Sequence, residues 1–150
     1  MSDPLTLPRA RVMTHRHRFI PPLLIVPFLI YNVLAFTTFS GSVAGWESQL
    51  FSIPMVSGFP WVLTWGDLMI ILGLVFLFFE ILKSTQSGRT SVLEHMLSTV
   101  VFVIFLIEFL LVGAAASSVF FILMVMSLID VVAGFTVSIT SAGRDVTFEH

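Results

Sequence analysis

Cysteine is absent from the chain, and with it go disulfides, thiolate nucleophiles, iron–sulfur clusters and cysteine-ligated zinc. Charge is nearly as scarce. Asp, Glu, Lys and Arg make up 11% of the 150 residues, where an average soluble domain carries about 25%. The net charge of -2 offers no basic surface for nucleic acid. There is no HExxH, no glycine-rich phosphate loop and no GxSxG. His15, His17 and His150 lie near the chain ends and His95 opens an apolar run, so no second intramembrane histidine exists to ligate a haem. The chain is therefore expected to be non-enzymatic, without metal or cofactor. What it has in excess is apolar surface: 57% hydrophobic residues, 16 Phe and a mean hydropathy of +1.03. That composition excludes disorder and argues against a soluble globular enzyme. An integral membrane protein remains.

A membrane-crossing helix needs about 20 mostly apolar residues. Four stretches qualify: Phe19 to Phe39, Trp61 to Leu82, Val92 to Val112 and Ala115 to Ile139. The last two are separated only by Gly113 and a few small residues. One helix across both would run about 72 Å, more than twice the hydrocarbon thickness, so a tight turn from Gly113 to Ser118 is expected. The first stretch exceeds the h-region of a signal peptide and carries Pro27, Tyr31 and Asn32, which suits an uncleaved anchor. Pro22 fits a first turn, while Pro27 should kink the helix or delay its start. The fold class is thus an all-α bundle of four transmembrane helices (residues 19–140). A basic tail (1–18) precedes it and a short tail (141–150) follows.

Lys and Arg set the orientation. Arg9, Arg11, Arg16 and Arg18 lie in the first tail, Lys83 and Arg89 between spans two and three, and Arg144 in the last tail. The other two connections hold none. Both termini are expected in the cytoplasm. On the far side, Trp46, Leu50 and Ile53 follow i, i+4, i+7 spacing, which predicts a short interfacial helix before Pro54. Trp46, Trp61 and Trp65 are then interface anchors, the latter two opening the second helix.

Each polar residue inside a span needs a reason, because an acid at the bilayer centre costs about 2.5–3.5 kcal/mol on insertion scales. Glu80 can pair with Lys83 at i, i+3, and Glu94 and His95 begin a helix; these read as interfacial pairs and caps. Asp67 and Glu108 share one outer layer, about 24 Å from the cytoplasmic ends of their helices, and Asp130 lies about 15 Å in. No basic residue sits at either depth, and desolvation favours neutral, protonated carboxyls. Ser127, Asp130, Gly134 and Ser138 form one stripe that should face protein, and Gly66 and Gly73 lie seven apart where helices can approach closely. Asp67, Glu108 and Asp130 are the candidate ion site. They serve either as hydrogen-bonding glue between helices or as a proton or cation path. Neither internal repeats nor a broken helix at the acids supports a transporter.

The run from Gly66-Asp67-Leu68 through Phe79-Glu80-Ile81-Leu82-Lys83 to Asp130-Val131-Val132-Ala133-Gly134-Phe135-Thr136 resembles a type of small four-span membrane protein common among proteobacteria. The resemblance implies four spans and a bacterial inner-membrane location, and it transfers no activity and no site residue. The expected function is a small non-enzymatic subunit in the lipid bilayer, packing against other transmembrane helices in its own copies or in a larger complex. Conduction through the intramembrane carboxylates is the alternative.

Overall fold

The computed structural model describes residues 21–86 and 91–145, with side chains placed over 21–85 and 93–140. The basic tail, Ser87, Arg89 and residues 146–150 lie outside the described residues, as does the side chain of Arg144. The described chain is mostly helical and all-α in class, with four α-helices. Three of them, α2 (Trp65–Gln86), α3 (Ser91–Leu111) and α4 (Ser118–Asp145), are long and apolar enough to cross a membrane. The fourth, α1 (Ile25–Val33), is short and continues into a π-helical turn, Leu34–Thr38.

The shortness of α1 follows from its prolines. Pro21 and Pro22 precede the helix, and Pro27 occupies its first turn, where a missing N–H costs nothing. At the other end the π turn closes with Phe39 N–H donating to the Leu34 carbonyl at 3.0 Å, and Gly41 takes φ +81° to reverse the chain.

The segment that follows departs from the sequence expectation. Trp46 sits in a 3-10 turn, Val43–Glu47, and Leu50 and Ile53 belong to a strand, not to a helix. Strand β1 (Gln49–Pro54) pairs antiparallel with β2 (Pro60–Thr64), so Trp61 is in a strand and α2 starts only at Trp65. Pro54 and Pro60 fall at the strand ends, where a lost donor is tolerated. Gly58, at φ +85°, completes the turn between them. Helical spacing at positions 46, 50 and 53 was coincidental. β-branched and aromatic residues bracketed by Pro and Gly decide the local structure.

Helix α4 packs against both α2 and α3, and α1 lies against α2 and α4. The core joins Leu24, Tyr31, Trp46, Met69, Leu77, Phe105, Phe120 and Leu123. Phe28, Phe105, Phe109 and Phe120 form a ring cluster, with Phe28 edge-on to Phe105 at 4.8 Å. Glycine admits the closest approaches. A Cβ on Gly73 would meet Leu123 and Met126, and one on Gly66 would meet Val119 and the Trp46 carbonyl. The chain turns from α3 into α4 through a 3-10 turn, Gly113–Ala115. Large apolar side chains cover the outside of all four helices, among them Leu29, Phe78, Leu110 and Ile139.

Candidate functional site

The intramembrane carboxylates do not converge on one place. They separate into a hairpin end, a lateral groove and a tail end.

At the hairpin end Asp67 is exposed and caps α2. Its Oδ2 accepts the Thr64 N–H at 2.9 Å and the Thr64 hydroxyl at 2.8 Å, while its own N–H donates to Thr64 Oγ1 at 3.1 Å. This is a reciprocal capping box, with Thr at the cap and the acid three residues on. Asp67 lies in the first turn of α2, which begins at Trp65, four residues later than the apolar run suggested. Beside it Trp46 is 2% exposed and stacks on Tyr31 at 4.3 Å, edge-on to Phe39 at 4.9 Å. It belongs to the core; Trp61 is exposed and Trp65 half-buried. The Tyr31 hydroxyl donates to the Ala114 carbonyl at 2.8 Å and lies 2.7 Å from Ser117 Oγ, which ties α1 to the α3–α4 turn.

In the lateral groove, Asn32 Nδ2 donates to Glu108 Oε2 and to the Phe28 carbonyl, both at 3.2 Å. A space of about 390 Å3 opens beside this pair, walled by Phe36, Ile104, Ile107, Leu111 and Val112.

The tail end holds the assembly that sequence reasoning missed. Glu80, Ser84, Glu94, His95, Ser98, Ser127 and Asp130 are all buried there. Glu80 binds the Lys83 ammonium at 2.6 Å and accepts the Leu23 N–H at 2.7 Å, so it also fastens the approach to α1. Ser98 hydrogen-bonds the Asp130 carboxyl, and Glu80 and Lys83 stand close enough to act on it electrostatically. Asp130 thus has a cation nearby, contrary to the depth argument from sequence. Glu94 and His95, expected as interfacial caps, are buried with 8% and 6% of their surface exposed. The His95 ring covers Gly134, where a Cβ would collide with the imidazole, and its Nε2 is buried without a hydrogen-bond partner. Of the α4 stripe, Ser127, Asp130 and Gly134 are buried and Ser138 is half-buried. The signal was available in the i, i+4 pairs Glu80/Ser84 and Glu94/Ser98, which put polar faces on α2 and α3 at one level.

Between the two ends, the buried positions are apolar: Met69, Gly73 and Leu77 on α2, Val101 and Phe105 on α3, and Phe120, Leu123 and Met124 on α4. Among the described residues no three acidic, His or Cys side chains are grouped to hold a metal ion. No protein-family model, curated protein or solved structure matches this chain.

Proposed function

We propose that the chain is a non-enzymatic, multi-pass subunit of the bacterial inner membrane, both termini cytoplasmic, that packs against further transmembrane helices in its own copies or in a larger complex. The observation that carries this reading is that every helix carboxylate among the described side chains is engaged locally. Asp67 caps a helix, Glu80 pairs with Lys83, Glu108 with Asn32 and Asp130 with Ser98, while Glu94 has a partner of its own. The pairs Glu108–Asn32 and Asp130–Ser98 join different helices, each such bond contributing about 0.6–2 kcal/mol in a bilayer. The groove beside Asn32 and Glu108 supports a further helix as partner, because it sets an amide–carboxyl pair at the floor of an otherwise apolar, outward-facing wall. The test is purification in mild detergent, with identification of co-purifying chains and measurement of particle mass. A complex or homo-oligomer that Glu108→Leu disperses is expected; a monomer without partners refutes the reading.

The second reading is proton or cation conduction. The burial of Glu80, His95 and Asp130 near the half-buried Lys83 favours it, and the apolar layer between that cluster and the hairpin end opposes it.

A further inference from the structure

The β1–β2 hairpin carries a surface that packing of the helices does not explain. Residues 51–62 are exposed without interruption, and from Ser48 to Gly66 there is no Asp, Glu, Lys, Arg or His. Residues paired across an antiparallel ribbon point to the same face. The pairs Phe51–Leu63 and Ile53–Trp61 therefore share one face, where the rings of Phe51 and Trp61 lie edge-on at 6.2 Å. Met55 N–H donates to the Phe59 carbonyl at 3.1 Å, which carries the ladder and this face on to the turn. The opposite face holds the smaller Ser52, Val62, Pro54 and Pro60. Leu63 is 7% exposed, so the base of the large-residue face rests on protein, whereas Phe59 at its far end is 76% exposed. The face starts against the body of the molecule and runs out past it, with none of the described residues beneath.

We propose that this face seats on the lipid surface, at the boundary between headgroups and acyl chains of the bilayer that the helices cross. Its depth follows from α2. The 22 residues of that helix run about 33 Å, close to the hydrocarbon thickness of about 30 Å, so Trp65 stands at one boundary and the ribbon that ends at Thr64 starts from there. The backbone limits how far the ribbon sinks. Both strands of a two-stranded sheet are edges, whose outward N–H and C=O groups need water, and hydrocarbon offers none. At the boundary the large face meets acyl chains, the edges stay wet, and the Trp61 indole sits at the depth where tryptophan is favoured. A second copy pairing along an edge is the competing cover. Pro54 and Pro60, opposite each other, supply no N–H for such a ladder. With no charge on residues 48–66, the seating calls for no anionic lipid. It rests on α2 spanning the bilayer and is independent of any partner helix.

The chain has no cysteine, so a single introduced one carries a unique nitroxide spin label. The full-length variants Ile53→Cys and Phe59→Cys report the large face, and Ser52→Cys the opposite one. Leu74→Cys, exposed at the middle of α2, is the lipid reference, and Glu47→Cys, exposed before β1, is the water reference. Each is placed in nanodiscs of neutral phosphatidylcholine. Collisions of the label with oxygen, which partitions into lipid, are compared with those of a water-soluble nickel chelate. The oxygen-to-nickel ratio at Ile53 and Phe59 is expected to fall between those at Leu74 and Glu47, with Ser52 close to Glu47. Ratios at Ile53 and Phe59 equal to that at Glu47, or to that at Ser52, overturn the proposal. Shielding of Ile53 and Phe59 from both reagents overturns it too, and spin–spin broadening there identifies a second copy as the cover. A Leu74 label that favours nickel removes the spanning reading itself, so the two failures are told apart.

Discussion

Replacing Gly134 with alanine separates two forces that usually act together. At an ordinary helix position the change raises stability by about 1 kcal/mol through helix propensity. Here the new Cβ falls on the His95 imidazole. That ring is 6% exposed and lies 6.0 Å from the ring of Phe135, centroid to centroid, so it has little room to retreat. Overpacking a filled site costs about 1–3 kcal/mol. Subtracting the propensity gain leaves Gly134→Ala between neutral and about 2 kcal/mol destabilised, and Gly134→Leu well beyond that. The assay is reversible unfolding in detergent, followed by circular dichroism. Gly113 is the internal control, because nothing lies within 4 Å of a Cβ built there. Gly113→Ala should stabilise by about 0.4–1 kcal/mol through the unfolded chain. In the double variant His95→Ala/Gly134→Ala the collision disappears, so the cycle should return a coupling of about 1 kcal/mol or more. A gain of about 1 kcal/mol for Gly134→Ala with His95 intact would refute the packing of α3 on α4 described above.

Three further outcomes are expected. Tyr31→Phe should destabilise by about 1–3 kcal/mol, because the Ala114 carbonyl and Ser117 hydroxyl lose a buried partner; unfolding unchanged from wild type contradicts this. Asp130→Asn with Glu108→Gln should assemble normally, since an amide keeps shape and polarity. Wild-type proteoliposomes with an internal pH dye should pass no more protons than empty ones; a wild-type current that the amides abolish promotes the conduction reading. Cysteines placed at Ser48 and Ser87 should react with a membrane-impermeant thiol reagent in intact cells only at Ser48, and labelling at Ser87 alone reverses the proposed orientation.

The three long helices and the turn at Gly113 were legible because runs of about 20 apolar residues, with a length too great for one helix, admit one physical solution. The hairpin was not. Alternation of polar and apolar positions identifies a strand with one wet face, and here Phe51, Ile53, Val56, Phe59 and Trp61 are exposed and apolar, so alternation carries nothing. The start of α2 is hidden for a related reason. The apolar run begins at Trp61, but Thr64 is the cap, and a capping box of four residues outweighs hydropathy. The tail-end cluster is not legible from depth along any single helix. Which faces meet is a property of packing, and only the fold brings Ser98 and Lys83 to Asp130.

The bond from Tyr31 to Ala114 spans 83 residues, and it orders events in time. Translation proceeds at about 5–20 residues per second, so the partner of Tyr31 emerges roughly 4–17 s after Tyr31 itself. During that interval α1 lacks Ala114, Ser117 and Glu108, its tyrosine hydroxyl without those partners and its asparagine bonded only to the Phe28 carbonyl. The helices α3 and α4, close in sequence, can find each other at once. The first element made is the last one secured, and any factor that shelters a nascent polar helix would have its work at the beginning of this chain.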